Sequence, residues 1–232
     1  MPTRVNYVRR PKLRKPILIA GLPGIAQIAK LAVEYMVHEL KAQKFAELYT
    51  DQFPEWVIRE GGLVTNLKVN FHHCRPKGAG RDFILVTADA QAATQSGQYQ
   101  LSDDILDVAL HHRVDTVVTM AAYALSPGER KRLVVGVASD AASRELLRKH
   151  GIEILDTGMI VGMNGLLLGL AGLRKLKGFC LLGATEGWLL DVKATEAVLR
   201  ALREVLNFEL DLTDLYKQVP KLPRFKPPRF RL

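Results

Sequence analysis

The sequence predicts a three-layer α/β/α sandwich around a mostly parallel, mixed sheet, and three observations carry that prediction. Short continuous apolar runs recur at 17–20, 83–88, 116–120, 133–138, 152–155 and 179–182, the pattern of strands covered on both faces. Segments with helical spacing alternate with them, as successive strand–helix units require. The third observation is the stretch 158–173, whose five glycines, Gly158, Gly162, Gly165, Gly169 and Gly172, are spaced 4, 3, 4 and 3. At 3.6 residues per turn that spacing lines them along one stripe of a leucine-rich helix. Each glycine inside a helix costs roughly 1 kcal/mol relative to alanine. The stripe, or at least Gly165, Gly169 and Gly172, is therefore expected to face inward, where another backbone approaches closely and leucine would not fit. The uncharged run is shorter than the roughly 20 residues a bilayer span needs and contains Asn164, which argues against a membrane helix.

Taken in order, 17–20 reads as a strand, Gly21-Leu22-Pro23-Gly24 as a tight loop, and the segment to about Leu40 as a helix. Its spacing puts Ile25, Ile28, Ala29, Ala32, Met36 and Leu40 inward and Gln27, Lys30, Glu34 and His38 outward. A hairpin follows, 56–60 and 63–71 joined by Gly61-Gly62, whose positive φ angles suit a two-residue turn. Strict alternation from Leu63 to Phe71 predicts one buried and one wet face, hence an antiparallel strand near a sheet edge. The stretch 75–81 reads as a loop. Helices are expected at 101–112, at 141–150 and in the glycine-striped segment. Asp191 is placed to cap a last long helix to about Leu206, and Asp211 a short one to Val219. From Pro220 onward prolines and basic residues predict an extended tail. The domain plan is a basic arm at 1–15, one α/β/α domain at 16–219 and a basic, proline-rich tail at 220–232.

The net charge of +9 suggests a nucleic-acid binder until it is located. Residues 1–15 carry six basic residues and 220–232 carry five, with no acidic residue in either segment; without those eleven, 22 basic residues face 24 acidic ones. A near-neutral body with basic ends is a pattern of interaction tails and argues against a groove-wide nucleic-acid surface. Two cysteines, Cys74 and Cys180, offer neither a disulfide framework nor a zinc site. Together with a polar, basic start, they fit a cytoplasmic protein.

In open α/β sheets ligands bind beyond the carboxyl ends of strands, so the candidate ligand loops contain Gly21, Gly24, Asp89, Gln91, Asn164 and Glu186. Asp89 and Glu186 would form an acid–base pair only if the fold brings them together. The loop at 21–24 lacks both the dinucleotide fingerprint and the Lys-Ser/Thr of a phosphate-binding loop. His72-His73 and His111-His112 are adjacent pairs that diverge along a strand or helix, so neither clamps a metal alone. No nucleophile elbow occurs. The residues indicate no catalytic group, no metal and no cofactor.

Three stretches read together resemble the proteasome assembly chaperone family, particularly its archaeal and bacterial members: 16–25 (PILIAGLPGI), 162–171 (GMNGLLLGLA) and 187–191 (GWLLD) with the helix after it. The resemblance covers roughly 16–217. It implies a fold related to nucleoside phosphorylases, homo-oligomerisation and binding of proteasome α-subunits, without catalysis. Some archaeal relatives dock through a carboxyl-terminal hydrophobic-Tyr-any motif; here the end is Phe230-Arg231-Leu232, with Arg231 where tyrosine belongs. By that resemblance Phe225, Phe230, Arg231 and Leu232 are the candidate partner-binding residues. Two other readings stay open: a small-ligand binder or enzyme using the strand-end loops, of the hydrolase or phosphorylase kind or under the ATP-grasp label some relatives carry, and a nucleic-acid binder using the basic ends.

Overall fold

Four apolar strands set the centre of the sheet. A computed structural model describes residues 3–125, 133–187 and 190–218. In chain order the elements are β1 (Arg4–Tyr7), β2 (Ile17–Ala20), α1 (Ile28–Glu39), β3 (Gln43–Tyr49), β4 (Val57–Glu60), β5 (Leu63–Asn66), β6 (Val69–Cys74), β7 (Phe83–Ala88), α2 (Gln95–His111), β8 (Thr116–Ala124), β9 (Val134–Ala138), α3 (Ala141–Lys149), β10 (Glu153–Ile154), α4 (Met163–Leu173), β11 (Lys177–Thr185), α5 (Val192–Val205) and α6 (Leu215–Gln218). The main sheet runs β1-β3-β6-β7-β2-β8-β11-β9-β10. Its centre, β7-β2-β8-β11, is parallel, and both faces of each strand are covered.

Alternation along each strand assigns the layers. Ile17 and Ile19 pack with Ile28, Ala32 and Met36 of α1, Leu147 of α3 and Val198 and Leu202 of α5. Leu18 and Ala20 pack with Leu101 and Ile105 of α2 and Met163 and Leu167 of α4. The helices start where polar caps stand: Thr94 Oγ1 accepts from Gly97 N at 3.0 Å, Asp140 Oδ1 from Ser143 N at 2.9 Å and Asp191 Oδ1 from Ala194 N at 2.9 Å. The Thr94 cap puts the start of α2 at Gln95, six residues before the expected 101.

Several expectations change. Residues 4–7 of the basic arm form edge strand β1, antiparallel to β3, an element the sequence pattern did not reveal. The expected strand 63–71 is two: β5 pairs only with β4 in a hairpin outside the main sheet, and β6 begins at Val69 between β3 and β7. Burial explains the break, because Leu63 and Val64 are exposed while Leu67, Val69 and Phe71 are buried. The glycine turn itself is as expected, with φ of 57° at Gly61 and 82° at Gly62. Strand β9 is antiparallel to β11 and parallel to β10. Only nine residues separate Ala124 from Val134, fewer than a parallel crossover takes. Ile25 is exposed and precedes α1, because Ala26 and Gln27 have φ of 52° and 56° and delay the helix to Ile28.

The antiparallel wing has a polar face. In register, Glu47 lies beside Asn70 and Thr87, and Lys44 beside His72 and Leu85. Glu47 accepts from Lys68 Nζ at 2.8 Å, Lys44 Nζ at 2.9 Å and the Tyr49 hydroxyl at 2.9 Å. Burial alone would raise its carboxyl, but these donors hold it down at about 2. Burial, helped by Lys44, depresses His72 to about 4. An imidazole kept neutral by folding protonates more readily in the unfolded chain, so its stabilising effect is whole above the unfolded value of 6.5 and is lost as pH falls toward 4. Glu47 adds a second loss from 4.5 toward about 2. Between pH 7 and 4 His72 is expected to account for about 3 kcal/mol of lost stability. Urea midpoints at pH 7, 5.5 and 4 should fall steeply for the native protein and more gently for His72→Gln; the same slope in both would remove His72 as the cause.

Candidate functional site

The carboxyl ends of the central strands open into a groove of about 640 Å³ between α4 and strands β8, β9 and β11. Its walls are mostly apolar, with Ala121, Tyr123, Val137, Leu155, Leu168 and Leu182 contributing. Gly24 and Gln91, from two different loops, and Asn164, from the first turn of α4, meet at its rim.

Their polar atoms are engaged with the chain itself. Asn164 Oδ1 accepts from Leu22 N at 2.9 Å, and its Nδ2 donates to Leu22 O at 3.1 Å. Gln91 Nε2 donates to Pro23 O, and Gln91 Oε1 accepts from Met163 N at 2.9 Å. The two carboxamides thus tie the β2–α1 loop, the β7–α2 loop and the start of α4 into one corner. Gly162, with φ of 91°, brings the chain into α4 past Gln91, whose Oε1 would lie 3.0 Å from a Cβ there. Gly24 also faces this corner, nearest to Asn164 and Gln91. Gly21 serves packing: a Cβ on it would sit 2.0 Å from Ala29 O, so β2 and α1 approach too closely for any side chain.

Asp89 and Glu186 are not brought to one cavity. Asp89 accepts from Lys68 N at 3.0 Å, burial raises its pKa, and Lys30 opposes that rise. Its neighbours are Lys30, which donates to Ala88 O at 2.9 Å, and Glu34, which pairs with Lys30 at 3.6 Å. The sequence reading placed Lys30 and Glu34 on a wet helix face; their i,i+4 spacing was the available signal. Glu186 lines a separate cavity with Thr185, Asp191 and Lys193. Thr185 Oγ1 donates to Asp191 Oδ2 at 2.7 Å, so that corner too is internally bonded.

Chemically the groove offers little. Among its described lining residues Asp156 is the one carboxylate, and none is a histidine, cysteine or lysine. The Ser139 hydroxyl donates to Gly178 O at 3.1 Å. Burial pushes the Cys74 and Cys180 thiols up to about 12, far from the thiolate a nucleophile needs. Among the described residues no three His, Cys, Asp or Glu side chains are grouped to hold a metal, and no helix is long and apolar enough to cross a membrane. Phe225, Phe230, Arg231 and Leu232, and the Trp188-Leu189 pair, lie outside the described residues.

The glycine stripe departs from expectation. Met163, Leu167, Leu168 and Ala171 take the buried side of α4, since leucines gain more from leaving water than glycines do. Gly158 and Gly162 belong to the preceding loop, Gly165 and Gly169 line the groove, and Gly172 lies beyond its described lining. A Cβ on Gly165 would meet Ile160 at 2.6 Å, one on Gly172 would touch Ser139 at 3.5 Å, and one on Gly169 would have no neighbour within 4 Å. Gly165→Leu is therefore expected to lower the unfolding midpoint through its clash with Ile160. Asn164, only 4% exposed, gives a sharper test. Asn164→Ala leaves the Leu22 amide and carbonyl unpaired and should cost about 3 kcal/mol; an unchanged midpoint in urea would show that the carboxamide does not hold the corner.

Comparison with known proteins agrees with this architecture. The sequence profile of the PAC2 family matches residues 18–223. An uncharacterized protein of Methanocaldococcus jannaschii is 32% identical over 215 residues, covering 92% of this chain and 82% of that one. The crystal structure of Pyrococcus furiosus PbaB, described as an archaeal proteasome activator, superposes with a TM-score of 0.83 at 32% identity, covering 94% of this chain and 95% of that one. Pyrococcus furiosus PbaA, described as an archaeal homolog of proteasome-assembly chaperone, shares the fold at a TM-score of 0.77 and 23% identity, over 94% of this chain and 93% of its own. A profile match over most of the sequence and a relative at this identity along nearly its whole length lead to one conclusion: the chain belongs to the PAC2 family.

Proposed function

We propose that this protein is a non-enzymatic, homo-oligomeric proteasome-binding factor of the cytoplasm, an assembly chaperone or activator that engages proteasome α-subunits. The observation that carries the reading is the likeness to the Pyrococcus furiosus proteasome activator along 94% of the chain at 32% identity. The strand-end groove supports it from the chemical side. Its carboxamides are occupied by backbone partners, and its described lining holds a single carboxylate with no base or nucleophile beside it. A surface of that kind suits binding of an apolar partner better than proton transfer, for which an acid and a base must stand within reach of the same substrate.

Within this reading the carboxyl terminus makes the docking contact. Phe225, Phe230 and Leu232 supply apolar anchors among basic residues, and Arg231 stands at the position where some archaeal relatives carry tyrosine. Binding of the full-length protein to proteasome α-subunits of its own host is the test, with three proteins compared: native, truncated after Val219, and Arg231→Tyr. Truncation should weaken binding by at least about tenfold, equivalent to roughly 1.4 kcal/mol, while leaving the melting temperature nearly unchanged. Arg231→Tyr should strengthen it. Equal binding by all three would refute the role of the tail, and absence of binding by the native protein would refute the proteasome reading itself.

A further inference from the structure

The three-layer arrangement is incomplete at one corner. On the face covered by α2 and α4, strands β9 and β10 carry no helix among the described residues, because α3 lies against the opposite face through Leu147. Val137 and Leu155 are left half-buried in the groove wall. Met159 at 92% and Val161 at 88%, the two most exposed large apolar side chains among the described residues, line this opening, and Leu173 at 81% stands at the far end of α4. Met159 and Val161 precede α4 and Leu173 ends it, so exposed apolar side chains flank the helix at both ends. Between them lies Gly169, the glycine of the stripe on which a Cβ would meet no described residue within 4 Å. A Cβ on Gly165 would clash with Ile160 and one on Gly172 would touch Ser139, whereas a side chain on Gly169, itself exposed, meets nothing among the described residues.

We infer that this groove is a two-fold self-association surface, in which α4 of one protomer crosses α4 of a second copy antiparallel, with Gly169 at the crossing. An isologous contact requires a patch complementary to itself, and the charges at the two ends of α4 meet that requirement. Asp156 lies beyond the amino-terminal end and Lys175 just past the carboxyl-terminal end. Neither has an ion-pair partner among the described residues, whereas neighbouring Arg174 is taken by Asp103 and Asp107. Antiparallel crossing sets each Asp156 near the Lys175 of the second copy and opposes the two helix dipoles, while Met159 and Val161 of each protomer cover the open β9–β10 corner of the other. A helix-interior glycine lets two backbones come close; alanine or leucine at 169 would hold them apart. The surface rests on the homo-oligomer part of the function proposed above and is independent of proteasome docking.

Sedimentation equilibrium of the purified full-length protein, alone in buffer, tests the inference. The native chain should show a dimeric unit at micromolar concentration. Gly169→Leu and Val161→Asp should each weaken that association by about tenfold or more, with melting curves extrapolated to low concentration unchanged, because neither side chain meets anything within the protomer. Asp156→Lys and Lys175→Asp should each weaken it, and the double exchange should restore it. A native monomer at that concentration, or an assembly indifferent to Gly169→Leu and Val161→Asp, would overturn the inference. So would loss of α-subunit binding in those two variants with the assembly unchanged, since the groove would then serve the proteasome instead of a second copy. Truncation at Val219 should leave the assembly intact, which keeps this result separable from failure of the docking proposal.

Discussion

The structure depends on a buried carboxamide. Asn164 exchanges two hydrogen bonds with the backbone of Leu22, so a residue at the start of α4 completes the peptide pairing of a loop 142 positions earlier in the chain. Leu22 has no access to solvent, and buried backbone groups must be paired within the protein. No strand reaches Leu22, because β2 ends at Ala20. Without Asn164 that corner would lose both partners at once. Gln91 performs the parallel task for Pro23 and Met163. The mouth of the central sheet is thus closed by side chains of the kind usually found touching ligands.

That substitution explains how much of the site was legible. Gly24, Gln91 and Asn164 are read from the sequence only as members of candidate ligand loops, and the fold sets them side by side beyond the strand ends. What the sequence does not contain is the direction of the amide groups, which distinguishes a ligand cradle from an internal clamp. The same limit applies to the glycine stripe. Periodicity places Gly165, Gly169 and Gly172 on one side of α4, but which side faces the sheet is decided by Met163, Leu167 and Ala171 competing for the buried position. Asp89 and Glu186 illustrate a different limit: both stand at strand ends, yet Asp89 is bonded to Lys68 N beside Lys30 and Glu186 lines a separate cavity with Thr185 and Asp191.

At the level of the fold the central strands were readable because they are apolar on both faces, a signal that needs no partner to interpret. The wing was harder. Strand β3 mixes Lys44, Glu47 and Tyr49 with Phe45 and Leu48 and is bulged between Lys44 and Ala46, which breaks its alternation. Strand β1 is short, half-exposed and basic, so its composition resembles a solvated arm. Only its pairing with β3 makes it a strand. The order of β9 follows from chain length between elements more than from composition.

The two ends of the sheet finish in opposite ways, and the contrast separates folding from binding. Beside α1 the wing exposes a polar face on which Lys44, Lys68 and Tyr49 satisfy Glu47, so water and ion pairs complete it and no partner is required. At the other end strands that no described helix covers on that face present Val137 and Leu155 in the same groove wall as Met159 and Val161, groups that gain nothing from water. An exposed apolar surface of this kind is the usual mark of an interaction site, and here it lies against a groove whose rim is fixed by the Asn164 and Gln91 clamp. Rigidity at that rim lowers the entropy lost when a partner binds. The carboxamides whose hydrogen bonds are taken up by the backbone are the same ones that hold the shape of the groove rim.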